Sequence, residues 1–499
     1  MKGCIALQGN YAKMGHALAL RLKKDHGVGE FCAYVLSPRA KKFVDSQTDL
    51  AYSGLLVDFE VHERFKDEKL DLDYLRSVEE KFGPTLWSYV YPDRRITMSL
   101  ESMDQRTMEL NPLYSHEEIM KIVQVRIKSI LKFLTEEKPD FIIFFALGTI
   151  GNMLLYHIAK KLGVKVLCTE IARLGDLMVL TEDFNTITGV KEVYEKIVRE
   201  ELKPKFIEEA TRIVKNFSEK KVSYINYTSG QKKPHISLAR RLQVYFNIFK
   251  TYWDERKYSL YDNPSSPWHF FKYKIIIKFR KLIGYQNFYQ PANWQEDFVF
   301  YPLQCEPELS LLNIAPFYTD QLMVIRAIAQ SLPLHYKLYI KEHPMMLNKR
   351  KRSYYKELLK IPNVVLVDTN LKSFDLTVQS KLVITITGTV GWEAALLGKP
   401  VITFGNIFYN NAPSVKKCHG LEDLPALVNA QLALPTDQLK GTINFVAAIL
   451  ENGVADMPYF QLEQATSEQL QTNQNVGNLA NLAAQKIGLV APTRPTPNP

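Results

Sequence analysis

The fold is decided by the stretch Val383-Ile-Thr-Ile-Thr-Gly-Thr-Val-Gly-Trp-Glu-Ala-Ala-Leu-Leu-Gly-Lys-Pro-Val-Ile402. A β-branched apolar run leads into Thr387-Gly388-Thr389, a helix-forming segment follows, Gly398 and Pro400 stop it, and a second apolar run begins. This predicts strand, tight turn, helix and strand: one βαβ unit whose turn sits at a helix N-terminus. Amide N–H groups without helical partners and the positive end of the helix dipole suit such a turn to holding a phosphate.

Outward from that unit the same pattern repeats. Strands are expected over Phe298–Gln304, Lys337–Ile340 and Val364–Val367, with helices over Thr319–Gln330 and Ser353–Leu359 between them. Together they predict a doubly wound parallel sheet. Near the N-terminus, strands over Lys2–Gln8 and Phe31–Leu36 flank a helix from about Lys13 to Lys24. Further on come a helix over His116–Thr135, a buried strand over Pro139–Ala146, the turn Leu147-Gly-Thr-Ile-Gly151, a helix to Leu162 and a strand over Val164–Leu167. The dinucleotide fingerprint G-x-G-x-x-G is absent. No sequence repeat relates the two halves, and residues 40–106 give few strong signals. The expected organisation is an N-terminal domain over 1–225, a basic aromatic insert over 226–294, a second domain over 295–420, a C-terminal helical segment over 421–488, and a disordered tail over 489–499.

Composition narrows the class. The chain has 499 residues, 46% of them hydrophobic and 23% charged, as expected of a globular protein of two or three domains. Five scattered cysteines, with no CxxC spacing, argue for reduced thiols and against a disulfide frame or a cysteine metal site. No basic and apolar leader opens the chain, so no signal peptide is expected, and no long apolar run predicts a membrane span. Charge is unevenly placed. Between Gln231 and Leu282 twelve Lys or Arg face three acids, so this segment carries +9 of the chain's net +10. Interleaved aromatic and aliphatic residues favour a membrane-surface patch there, with a solvated helical insert as the plainer reading. Nothing in it resembles a nucleic-acid-binding module, and no nucleic-acid partner is expected.

Candidate site residues fall at strand ends, where open parallel sheets meet their ligands. Lys341 and His343, followed by Pro344, can both reach an anion from one loop; alternatively His343 caps the loop and Lys341 is solvated. Thr387 and Thr389 offer hydroxyls, and Gly388 and Gly391 allow close backbone approach. Glu393 is read either as an acid in the first helical turn or as an acceptor for ribose hydroxyls. Gln304, Glu306 and Glu308 occupy the first strand end of the second domain. In the first domain Glu170, Arg173, Asp176, Glu182 and Asp183 cluster, either as an ordinary salt-bridged loop or around a catalytic carboxylate.

These residues carry a resemblance. Tyr-Pro-Leu-Gln304-Cys-Glu306-Pro-Glu308, Lys341-Glu-His343-Pro344 and Thr387-Gly388-Thr389-Val-Gly-Trp-Glu393 resemble the bacterial capsule polysaccharide biosynthesis family, which includes retaining transferases that use CMP-β-Kdo. The likeness spans about 295–410, and reaches the first domain only through Thr169–Asp176. It implies an α/β GT-B fold, two Rossmann-like doubly wound domains facing a cleft, in which the second domain grips the nucleotide and the first supplies the acceptor site. It further implies that Gln304, Glu306, Lys341, His343, Pro344, Thr387, Gly388, Thr389 and Glu393 bind the donor, with no metal and no cofactor beyond the nucleotide-sugar substrate. Glu170 aligns with an acidic residue implicated in the family's catalysis. Arg173 is expected to orient it or the acceptor, with Asp176 beside them, although the Asp-Gly-Phe part of the family's run is replaced here. The function expected is a cytoplasmic glycosyltransferase at the inner face of the membrane, passing a CMP-linked sugar such as Kdo to a glycan or glycolipid acceptor. A CDP-glycerol- or ribitol-type phosphotransferase and a non-catalytic assembly or export factor are the rival classes.

Overall fold

The structure, a computed structural model, describes residues 1–9, 11–83, 85–102, 105–110, 112–220, 237–255, 267–435, 438–458, 462 and 465–490. The stretches 231–236 and 256–266 of the basic segment, and the tail from 491, lie outside them.

The first sheet contains β1 (Lys2–Leu7), β2 (Glu30–Val35), β3 (Tyr52–Val57), β6 (Phe141–Phe144), β7 (Lys165–Ile171), β8 (Leu177–Thr181) and β15 (Ala455–Asp456). Its order is β15-β8-β7-β6-β1-β2-β3, and a separate hairpin pairs β4 (Met98–Ser102) with β5 (Gln105–Leu110). The strands from β7 to β3 run parallel, while β8 is antiparallel to β7 and β15 to β8. β1 and β6 read as unbroken apolar runs because helices cover both faces of the sheet, and Cys4–Leu7 and Ile142–Phe144 are fully buried.

The second sheet is wholly parallel. It contains β9 (Phe298–Pro302), β10 (Lys337–Lys341), β11 (Val364–Leu366), β12 (Leu382–Thr385), β13 (Val401–Thr403) and β14 (Val415–Lys417), in the order β11-β10-β9-β12-β13-β14. The chain runs outward from β9 through β10 to β11, then returns to the other side of β9 at β12. The topological switch therefore lies between β9 and β12, where ligands of doubly wound sheets bind. The opening stretch of sequence forms the β12–helix–β13 unit, with its helix at Thr389–Leu396. The two doubly wound α/β sheets expected from the sequence are both present.

The domain boundaries differ from expectation. Residues 189–220 belong to the second unit, and the chain from Gly453 belongs to the first. Helices Val190–Val198 and Ile207–Lys220 pack on helix Leu439–Glu451, where the rings of Tyr194 and Phe445 lie 5.5 Å apart and the Phe206 amide donates to Glu451 (3.2 Å). Past Gly453, β15 pairs with β8 and helix Gln474–Lys486 packs along helix Tyr11–His26. The C-terminal helices are thus no appendage. Each amphipathic face goes to the core that leaves an apolar surface for it.

Candidate functional site

In the second unit three strand ends converge at the switch point. Gln304, just past β9, donates from Nε2 to Oγ1 of Thr387, just past β12 (3.1 Å). Thr385 Oγ1 accepts from the Gly388 amide (3.1 Å), and Tyr409 donates its hydroxyl to the Gly388 carbonyl (2.6 Å). Gly391 is required by packing, since a Cβ there would lie 2.7 Å from Thr385 Cγ2 and 2.8 Å from the Tyr409 oxygen. The helix is thereby held tight against β12 with its N-terminus at the strand end. Among the described residues no side chain caps that N-terminus. Gly388 and Thr389 are half-buried, and no described residue accepts a hydrogen bond from the Thr389 or Val390 amide.

β10 brings the Lys341–Pro344 loop to the same edge. Lys341 is only 5% exposed, and its ammonium group makes no hydrogen bond or ion pair with any described residue. Burial lowers its pKa against the opposing pull of Glu342 and Asp368. His343 is half-buried, with its pKa pushed down to about 4 by burial and by the positive Arg350, Lys341 and Lys349. It is therefore neutral at pH 7. Its Nδ1 accepts from the Met345 amide (3.2 Å), so the hydrogen-bond pattern assigns the ring proton to Nε2. The loop thus offers an uncharged N–H donor beside a buried cation, a pairing suited to an anionic oxygen.

The loop is held by a residue that the sequence did not single out. Arg350, almost fully buried, donates through Nε to Glu342 (2.9 Å), through Nη1 to Glu306 and through Nη2 to the Gln304 carbonyl (2.5 Å). Glu342 also accepts from the Tyr355 hydroxyl (2.6 Å) and the His343 amide (2.7 Å). One guanidinium therefore ties the loops after β9 and β10 together. Glu306, expected at the donor, is engaged with Arg350 and Gln321 instead, and serves the loop geometry. Glu393 lies in the second helical turn rather than the first and is fully buried, so it presents no surface to a ribose.

The first unit carries the same turn in the same topological place. Gly148-Thr149-Ile150-Gly151 follows β6 and opens helix Ile150–Lys161, as Gly388-Thr389-Val390-Gly391 follows β12. Gln8 follows β1 as Gln304 follows β9, donating to the Ala146 carbonyl (2.8 Å) and accepting from Asn152 (3.0 Å). A short repeat therefore does relate the halves, too brief to stand out against unlike flanks. The difference between the two turns lies in their capping. In the first unit Thr149 and Asn152 form a capping box, and the buried Asp93 carboxylate accepts from the Ile150 amide (3.0 Å) while pairing with Arg95 (2.8 Å). The chain's own anion occupies that helix N-terminus.

Glu170, Arg173 and Asp176 lie on the hairpin joining β7 to β8. Glu170 sits within β7, paired with Val179, rather than in a loop beyond the strand end, because Leu177–Thr181 forms a strand that extends the pairing. Burial pushes its carboxyl up to about 7, against the opposing pull of Arg173. Arg173 (φ 54°) and Gly175 (φ 65°) make the left-handed turn, and Asp176 is half-buried with its carboxyl raised by burial and by Asp456. Among the described residues no group of three or more His, Cys, Asp or Glu is placed to hold a metal ion.

With this geometry in hand, the comparisons say what the chain is similar to. Residues 233–414 match the sequence profile of the capsule polysaccharide biosynthesis protein family, a segment that contains every candidate residue of the second unit. The resemblance seen in the motifs is borne out over that segment. The chain is also 31% identical over 156 residues to protein FixF of Sinorhizobium fredii (strain NBRC 101917 / NGR234). That alignment covers 30% of this chain and 37% of the relative, so the chain spans well under half the length of the relative it matches. Among solved structures, the β-Kdo 2,7 transferase of Thermosulfurimonas dismutans KpsC aligns over 74% of this chain and 97% of its own, with 14% identity and a TM-score of 0.32. The UDP-GlcNAc 2-epimerase from Neisseria meningitidis, bound to UDP-GlcNAc, aligns over 91% and 99%, with 12% identity and a TM-score of 0.24. Neither superposes closely enough to carry an argument about chemistry.

Proposed function

We propose that the second unit binds the phosphate-bearing leaving group of a nucleotide-activated sugar, and that the protein transfers that sugar to a glycan or glycolipid acceptor in surface polysaccharide synthesis. One observation carries the reading. Of the helix N-termini that follow β6 and β12, the first is capped by Asp93, Thr149 and Asn152, while the second is open at the sheet edge that also carries the Lys341–His343 loop. An external anion fits there. The Thr389 and Val390 amides, the His343 Nε2–H and the Lys341 cation would stabilise negative charge as the leaving group departs, the electrostatic role that a metal fills elsewhere. The donor is read as CMP-linked, with Kdo as the sugar, from the resemblance carried by the Gln304–Glu308, Lys341–Pro344 and Thr387–Glu393 motifs.

Glu170 is read as the catalytic carboxylate. Its pKa of about 7 lets it exchange a proton near neutrality. Arg173 and Asp176 are its positioning neighbours. The site of action is read as the cytoplasmic face of the membrane, where such donors and a lipid-linked acceptor meet.

Calorimetry with CMP tests the donor half. His343→Ala is expected to weaken CMP at least ~10-fold, one hydrogen bond to an anion being worth about 1.5–3 kcal/mol, while leaving the melting temperature unchanged. Equal CMP affinity in the variant sinks the assignment. Product analysis tests the transfer: the acceptor should gain a sugar and no phosphorus, whereas phosphorus in the product identifies a phosphotransferase.

A further inference from the structure

Helix Pro267–Ile283 carries five basic residues and no acid in the sequence Pro-Trp-His-Phe-Phe-Lys-Tyr-Lys-Ile-Ile-Ile-Lys-Phe-Arg-Lys-Leu-Ile. Among the described residues, one side of it is anchored to the second unit. Tyr273 is buried, and Arg280 donates to the Lys349 carbonyl. Trp268, Phe271, Ile275, Phe279 and Leu282 follow a spacing of three and four residues, which sets them within an arc of about 80° on a helix of 3.6 residues per turn. That arc faces away from Tyr273 and Arg280. Its five side chains are 46–84% exposed, and contiguous exposed apolar side chains of this size mark an interaction surface. Lys272 and Lys278 flank the stripe, with Lys281 further round, and all three are exposed. No helix among the described residues is long and apolar enough to cross a membrane, so a face of this kind meets a bilayer edge-on.

We infer that helix Pro267–Ile283 is an interfacial docking helix, which lays the Trp268–Leu282 stripe into the headgroup boundary of a bilayer rich in anionic lipid. The occupant follows from chemistry on the helix itself. A second protein surface would have to match five large apolar groups and an unrelieved row of cations. An anionic bilayer supplies both an apolar layer and a plane of negative charge, and the amphipathic Trp suits its interface. Helix Leu238–Glu255 repeats the apolar pattern with Leu242, Tyr245, Phe246, Phe249 and Trp253, all more than a third exposed. Its own basic excess is small, so the stronger electrostatic claim rests on Pro267–Ile283. The inference deepens the membrane location proposed above and is independent of the transfer chemistry.

The test is flotation of the full chain with vesicles of phosphatidylcholine alone and with about one third phosphatidylglycerol. Expected is recovery with the phosphatidylglycerol vesicles, weakening as salt is raised from about 50 to 500 mM because the surface attraction is screened. A Trp268→Ser/Ile275→Ser/Phe279→Ser variant should lose at least ten-fold in vesicle affinity, and Lys272→Glu/Lys278→Glu should lose the preference for anionic lipid. Both should keep the melting temperature and the CMP affinity of the parent, since the altered side chains are exposed and outside the donor site. Wild-type protein that stays with the lipid-free fraction overturns the inference, as does unchanged flotation of the apolar variant. Concentration-dependent dimerisation without lipid, abolished by the same variant, would show the stripe to be a protein interface and overturn it equally. Loss of CMP binding with flotation intact would instead count against the donor site alone.

Discussion

Arg350 shows how one side chain can set the geometry of several. Its guanidinium satisfies Glu342, Glu306 and the Gln304 carbonyl at once, in a place where Glu342 is fully buried and Glu306 largely so. Removing one partner of a buried ion pair costs about 3–5 kcal/mol, because it leaves charge buried without compensation. Arg350→Met should lose that much in chemical denaturation and lose CMP affinity with it, since Glu342 also fixes the His343 amide. The loss should shrink as pH falls. Without the cation, burial raises the pKa of the Glu306 carboxyl in the folded state still further. The destabilisation then appears above the unfolded pKa and is absent where both states are protonated. Denaturation at pH 8 and pH 5 checks the sign. Glu170 obeys the same logic, with burial again outweighing the cation beside it, Arg173. Its folded pKa, near 7, lies above the ordinary carboxylate range, so the contribution of Glu170 to stability falls as pH rises from about 4.5 to 7. Glu170→Gln should be more stable than wild type at pH 8 and indistinguishable near pH 4, with kcat reduced and CMP affinity retained. An activity profile that keeps its limb near pH 7 in this variant would remove Glu170 from the chemistry. Neither role of these residues is spelled out by the sequence. Arg350 stands in the run Asn-Lys-Arg-Lys-Arg352, where basic residues read as solvated, and only the fold shows which of them turns inward.

At the level of the element, the two G-T-x-G turns show what the chain wrote plainly and what it did not. The β12–helix–β13 unit is legible because β-branched strands, glycines and a proline agree over twenty residues. The turn after β6 is equally legible as a turn. The Thr149–Asn152 cap is local, but the anion at that helix end is hidden, since Asp93 comes from another element more than fifty residues away. β8 escaped notice for another reason: Leu177–Thr181 is a short run behind the charged Arg173–Asp176 turn, which drew the reading to its side chains although the hairpin pairing with β7 is local. The close packing at Gly391 gives a direct measurement. A methyl group there meets Thr385 and Tyr409 within 2.8 Å, and overpacking of this sort costs about 1–3 kcal/mol. Gly391→Ala should therefore lower the melting temperature. It should also weaken CMP by tilting the helix N-terminus away from the phosphate, an effect that Gly151→Ala in the first unit should not share. Equal loss of CMP affinity in both variants would show that the turn after β12 has no special standing.

For the whole molecule, the two doubly wound sheets were readable in order, but the allotment of helices between them was not. A helix such as Gln474–Lys486 declares an apolar face without saying which core it completes. The answer lies in contacts across more than four hundred residues, among them His26 with Asn481 (3.0 Å) and Gln471 with Asp49 (2.6 Å). The consequence is thermodynamic. Met457, Val476, Leu479 and Leu482 are buried in the first unit's core, and side chains of this size contribute about 1.5–3 kcal/mol each when fully buried. Together they amount to roughly 6–12 kcal/mol, comparable to the whole stability of a domain, about 5–15 kcal/mol. A chain ending at Asn452 should thus lose the folded first unit while its second unit, whose residues all precede Gly453, still binds CMP. Calorimetry can separate the two. In the full chain one transition should rise with CMP and one should not, and in the shortened chain only the CMP-responsive transition should remain. Leu479→Ala offers the graded version, with an expected loss of about 2–5 kcal/mol confined to the transition that ignores CMP. If the shortened chain kept both transitions, helix Gln474–Lys486 would be dispensable, and the first unit's core would have to close without it.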